Sequence, residues 1–149
     1  MRKVFALASA SCLVVLASFL PVTSRSDEKC AGSTQAIDIC TVVSNPGAYD
    51  GKELVIRGLY RMVIHGSIMT GPACKKVDVN MRRAYDWKGD KHAQAVLQTQ
   101  AKKNQYQFFE LIIRGTFRVA KQGQCFGQNC LSYEVEESEL FCAAPSDEK

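Results

Sequence analysis

Residues 45–61 read N-P-G-A-Y-D-G-K-E-L-V-I-R-G-L-Y-R, and no other stretch constrains the architecture as much. Asn45 precedes a proline, whose ring pushes its predecessor out of the helical region and ends whatever comes before. Asp50-Gly51 is a turn signal, because both residues tolerate positive φ. From Lys52 to His65, aliphatic and aromatic residues fill a long β pattern with Gly58 in its middle. Leu54, Ile56, Gly58, Tyr60, Met62 and Ile64 share an apolar face, and Val55, Arg57, Leu59, Arg61, Val63 and His65 share a mixed one. A strand of this length must bend, and Gly58 is the natural point for a bulge or sharp coil.

The same text returns later in the chain. L-V-I-R-G-L-Y-R at 54–61 aligns with L-I-I-R-G-T-F-R at 111–118, with five identities in eight positions. This predicts two strands of one kind rather than a repeat fold, each with glycine at a bend and an aromatic two positions later filling the core. In the strand over 107–120, Phe109, Leu111, Ile113, Gly115, Phe117 and Val119 form an apolar face. Phe108, Glu110, Ile112, Arg114, Thr116 and Arg118 form the other. Between the two copies the chain predicts a turn at His65-Gly66-Ser67, a strand over 67–70 stopped by Gly71-Pro72, and a short strand over 76–80. A turn at Trp87-Lys88-Gly89 and a helix over 90–104, capped by Asp90, follow. After a polar loop, a last strand over 131–141 carries Glu134, Glu136, Glu137 and Glu139. A short helix over 36–44, capped by Ser33 or Thr34, precedes the whole set.

The first 24 residues differ in kind. Arg2 and Lys3 are followed by an uncharged run from Val4 to Leu20, Pro21, and small residues at Val22-Thr23-Ser24. This is the grammar of a secretory signal cut after Ser24, with Ser26 as second choice. No membrane span is expected once it is removed. The chain of 149 residues holds 19 basic and 15 acidic side chains; without Arg2 and Lys3 the net charge falls from +4 to +2. That charge does not call for a nucleic acid or an anionic membrane. Six cysteines remain in the exported part: Cys30, Cys40, Cys74, Cys125, Cys130 and Cys142. An even count in an exported domain predicts three disulfides, formed in a periplasm or outside the cell. A zinc site fits poorly, since there is no C-x2-C pair and His65 and His92 stand apart from the cysteines and each other. No metal or cofactor is expected. Cys125-x4-Cys130 reads as a disulfide pinning a loop tip; spacing alone leaves the other pairings open.

The order of strands, with a helix between the third and fourth and glycine-bent first and fourth strands, resembles the OB-fold. The segment N-P-x-x-Y-D-G-K-x-[LV]-x-[IV]-R-G-x-Y-R also resembles small secreted bacterial proteins with OB-like domains, a group of uncharacterised function. Asn45, Pro46, Tyr49, Asp50, Gly51, Lys52, Arg57 and Gly58 carry that likeness, together with Cys40 and Cys74. The resemblance implies a mainly β fold: a five-stranded OB-like barrel with a short N-terminal helix and one internal helix, stapled by disulfides. It implies Cys40–Cys74, which leaves Cys30–Cys142 to join the two ends. The expected layout is a leader at 1–24, a flexible lead-in at 25–35, the OB-like domain at 36–143 and a disordered tail at 144–149.

The expected function is that of a non-enzymatic binding module, contacting a protein, glycan or small-molecule ligand in the cell envelope through loops around His65 and Phe126. Oligomeric state is left open. Phe126 is expected to stand exposed on its stapled loop. Tyr85 and Trp87, beside Arg82 and Arg83, form a second candidate patch, since such residues dominate binding hot spots. Arg57, Arg61, Arg114 and Arg118 would lie on neighbouring strands and offer a stripe to phosphates. The acidic last strand argues instead for cross-strand pairing, Glu134 with Arg118 and Glu136 with Arg114.

Overall fold

A computed structural model describes residue 30 and residues 35–64, 66–103 and 107–147. The expectations for the leader, for most of the lead-in and for His65 lie outside the described residues. Among the described residues no helix is long and apolar enough to cross a membrane.

The chain enters through a two-residue strand β1 (Ile37–Asp38) and a short helix α1 (Ile39–Ser44). The start of α1 is set by the Asp38 carboxylate, which accepts the Cys40 N–H at 2.7 Å. The helix expected over 36–44 thus begins later, because residues 37 and 38 are already extended and pair in parallel with the next long strand; Ser33 and Thr34 lie outside the described residues. After Asn45 the chain makes one further helical turn, α2 (Pro46–Tyr49), with proline at its start where a missing N–H costs nothing.

The Asp50-Gly51 turn is docked onto the far end of the fold. Gly51 takes φ +73°, its N–H donates to the Phe117 carbonyl, and the Asp50 carboxylate accepts the Val119 N–H at 2.9 Å. The turn therefore fixes the register of two strands 60-odd residues apart in sequence, as the 69-residue separation of that last bond shows.

Strands β2 (Glu53–Val63), β3 (Gly66–Thr70) and β4 (Val79–Gly89) follow, with a single 3-10 turn at Pro72–Cys74. Helix α3 (Lys91–Lys103) then leads to β5 (Phe109–Val119) and β6 (Tyr133–Pro145). The sheet is mainly β, with the order β1-β2-β3-β4-β6-β5, and a β2–β5 pairing closes a ring of hydrogen bonds through five strands. All neighbours in that ring are antiparallel except β4 and β6, which run parallel.

The two copies of the repeated octapeptide pair with each other. Leu54 faces Gly115 and Gly58 faces Leu111, so each glycine lies opposite the leucine that opens the other copy. The register passes Gly58 without a bulge. Gly58 is required for a different reason: a Cβ there would sit 2.7 Å from the Met69 side chain. The irregularity falls at the second copy, where β5 and β6 shift register between Arg114 and Gly115.

Two further boundaries differ from expectation. Trp87-Lys88-Gly89 is not a turn, because β4 runs on to Gly89 and rejoins β6 at Lys88 and Gly89 after an irregular stretch. Asp90 does cap α3, accepting the Ala93 N–H at 2.8 Å. The last strand extends through Pro145, so the tail expected to begin at Ala144 starts later: Ala143 and Ala144 are buried and pair with Leu111 and Glu110.

The inward faces of the ring bury Ile56, Met69, Val79, Leu111, Ile113, Phe117, Val135 and Leu140, closed above by Ala93 of α3 and below by Ile39 and Val42 of α1. A smaller apolar cluster lies on the outer face, where Ile112, Cys30 and Ala144 pack with Val55 and Phe141. Cys30–Cys142 is bonded there, Cys40–Cys74 ties α1 to the turn after β3, and Cys125–Cys130 closes the loop before β6. Gly71 is forced by the second of these, since a Cβ there would collide with the Cys40 sulfur.

Candidate functional site

A cavity of about 410 Å³ opens between the start of β3, the middle of β4 and the underside of α3. It exists because the β3–β4 seam closes over only two pairs, Ile68 with Asn80 and Met69 with Val79. Beyond them the strands part, and α3 bridges the gap. The walls are apolar where β2, β4, β5 and α3 contribute Met62, Met81, Phe109, Leu111 and Leu97. Tyr60, Ser67, Arg83, Gln98 and Glu137 supply the polar groups.

Glu137 is the most unusual of these. Alternation along β6 places it on the inward face with Val135, and its residue exposure is 6%. Both strands beside it are irregular there. Between Arg83 and Lys88 of β4, four residues stand against the single Ser138 of β6, while β5 and β6 slip by one at the same point. Bulges redirect side chains at such places. Among the described residues the nearest cation is the Arg83 Nε at 4.0 Å, too far for a hydrogen bond. The Trp87 indole N–H, itself buried without a hydrogen-bond partner, lies near enough to favour the charged carboxylate. Desolvation outweighs both and raises the Glu137 pKa above its ordinary value. The Tyr60 hydroxyl is likewise raised by burial, opposed by its contact with Ser67.

A second buried carboxylate on the same strand shows what a satisfied one looks like. Glu134 accepts a 2.8 Å hydrogen bond from the Asn80 amide and a 3.4 Å bond from the Arg82 Nε. It faces no cavity. Glu137 faces one and has neither bond.

The residues predicted from sequence are scattered. His65 lies outside the described residues, though Gly66 and Ser67 beside it line the cavity. Trp87 packs against the core and carries the Arg83 guanidinium on its ring at 4.3 Å. Tyr85, two residues earlier in the same irregular stretch, is fully exposed. Phe126 is half-buried rather than exposed, because its backbone pairs with Leu131 and draws the loop back on itself. It does not line the cavity. Sequence reasoning noticed Arg83 beside Trp87, but it left Glu137 among the glutamates of the acidic last strand and placed Tyr60 in the core.

The four arginines each have an acidic neighbour. Arg57 lies 3.5 Å from Glu110, Arg61 4.0 Å from Asp78, Arg114 2.7 Å from Glu139 and Arg118 3.0 Å from Glu136. Arg118 does stand opposite Glu134 in register, but Glu134 turns toward β4, so the ion pair is made with Glu136, two positions further along β6. The slip at Gly115 likewise brings Glu139, not Glu136, opposite Arg114. Among the described residues no group of three potential metal ligands is present. No protein-family model, curated protein or solved structure matches this chain.

Proposed function

We propose that this chain is a secreted, non-enzymatic binding module with an OB-like barrel, and that its ligand is a small molecule held in the cavity beneath α3. The observation that carries this reading is the cavity itself. Its volume of about 410 Å³ lies within the range of small-molecule sites, roughly 300–1,000 Å³, and such sites combine apolar walls with a few convergent polar groups. Tyr60, Arg83, Gln98 and Glu137 are those groups here. The ring order, the parallel β4–β6 pair and the helix between β4 and β5 support the OB-like reading. Three disulfides point to an oxidising, extracytoplasmic environment, and the leader-like residues 1–24 support export. The paired arginines weigh against a phosphate-binding groove as the main surface.

Residues 25–149, titrated with the neutral apolar fluorophore Nile red, test the ligand site. Saturable binding at one site is expected, and it should be lost in a Met62→Phe, Leu97→Phe double variant that fills the space. Binding that survives the filling, or none at all, would remove the cavity from consideration.

A further inference from the structure

The chemistry of the cavity's polar end narrows what it takes, and the argument rests on reading the cavity as the ligand site. Its deepest ionisable group is a carboxylate with 8% side-chain exposure, and the nearest described cation stops at 4.0 Å. Apart from the nearby Trp87 indole N–H, this buried charge is poorly compensated, and the cost is relieved by any further group that donates a hydrogen bond to it. Arg83 is poorly placed to serve. Its side chain is 58% exposed and its guanidinium is held over the Trp87 ring, which draws it to the rim. A charge at the rim is screened by water, whereas Glu137 acts from within low-dielectric surroundings. The field inside the cavity is therefore governed by Glu137. Opposite it lie the apolar side chains Met62, Met81, Leu97 and Phe109, of which the two methionines adapt readily to different shapes.

We infer that the cavity accepts an amphiphile with a protonated amine head, the ammonium donating to the Glu137 carboxylate and the apolar body lying against Met62, Met81, Leu97 and Phe109. A carboxylate-headed ligand of the same length would place its charge against Glu137. A hydroxyl head would also donate to the carboxylate, but it brings no positive charge of its own to offset the buried one.

Calorimetric titration of residues 25–149 with octylamine, octanol and octanoate at neutral pH and moderate salt decides the matter. Octylamine should bind about tenfold or more tightly than octanol, the ratio expected when a hydrogen bond gains a full charge, with octanoate weaker than both. Glu137→Gln keeps the side-chain volume and should erase the preference for amine, while a thermal melt at neutral pH no lower than that of wild type and retained Nile red binding report that fold and cavity are intact. Octanol or octanoate binding as tightly as octylamine would overturn the ligand class and leave the cavity standing as a site. A preference for amine that persists in Glu137→Gln would overturn the role of that carboxylate. Failure of all three to bind would overturn both the ligand class and the site.

Discussion

The octapeptides at 54–61 and 111–118 pair with each other in one ladder, yet they end in different surroundings. In the second copy Phe117 is fully buried, stacked at 5.7 Å on Tyr133, with its backbone bonded to Gly51 and Lys52. In the first copy the equivalent aromatic, Tyr60, is only partly buried and looks into the cavity. Antiparallel pairing places the two aromatics at opposite ends of the ring. One end is sealed by the Asp50-Gly51 turn; the other is left open where β3 and β4 part. Near-identical sequence thus supplies both the floor and the mouth of the fold. The single hydroxyl that distinguishes tyrosine from phenylalanine stands on the side where a polar group is useful.

The largest test of this contrast is to remove the ring of Phe117 and, separately, the hydroxyl of Tyr60. Phe117→Ala should cost about 3–5 kcal/mol, as for other fully buried phenylalanines, measured by denaturant unfolding. Tyr60→Phe, which loses only the hydroxyl facing Ser67, should cost about 0.5–1.5 kcal/mol. A loss from Tyr60→Phe as large as that from Phe117→Ala would show that the Tyr60 hydroxyl is enclosed and not at an open end.

The glycines sharpen the comparison at a smaller scale. At Gly115 a Cβ would meet the Val135 side chain at 2.7 Å and the Glu136 carbonyl at 2.8 Å, the latter backbone that cannot swing away. At Gly58 its two closest neighbours belong to the flexible Met69 side chain. Gly115→Ala should fall toward the upper end of about 1–3 kcal/mol for overpacking, and Gly58→Ala toward the lower end. The reverse order would mean that Met69 is the less yielding neighbour.

A third test uses protons. Glu137 has its pKa raised in the fold, so from its ordinary value of 4.5 upward the folded state holds more protons than the unfolded one. Stability then falls as pH rises through that window. The groups acting on it are Arg83 and Trp87 of β4 and, across the cavity, Tyr60 of β2. Relative to wild type, Glu137→Gln should gain stability as pH is raised through the window. A constant difference across melts at several pH values would show that Glu137 is not desolvated. The smallest effect belongs to the outer face: Arg114→Ala with Arg118→Ala should cost about 0.2–1 kcal/mol per cross-strand pair. It should leave octylamine affinity unchanged.

Much of the ring was legible because alternation is a local signal. The inward set of β5 is visible in five or six consecutive pairs of letters, and the Asp50-Gly51 turn announces itself. β4 was not legible beyond Asn80. Arg82, Arg83, Asp86 and Lys88 read as a polar connection, and only the acidic strand β6 makes them a strand, through contacts such as Arg82–Glu136 at 3.0 Å. That complement lies more than fifty positions away. The cavity was hidden for a related reason: it is a space left where β3 stops short, and no residue's identity records the absence of a neighbour. Trp87 and Arg83 could be found because aromatic and arginine side chains stand out. Glu137 could not, since one glutamate among four gives no sign that a bulge will turn it inward.

The bond between Cys30 and Cys142 spans 112 positions and brings their α-carbons to 5.9 Å. If the molecule is held from both ends, as an envelope protein fixed to two neighbours would be, tension enters at these two sulfurs and passes between them. The helices, the cavity and every strand up to Cys142 lie within the covalent circle and bear no load; only Ala143–Pro145, the end of β6, lie outside it. Stretched in a force spectrometer, the oxidised chain should lengthen hardly at all, and only reduction should let the pull reach the ladder of β2 and β5. The same bond makes a single cut in the irregular stretch of β4 harmless to the integrity of the whole, because both fragments remain tethered.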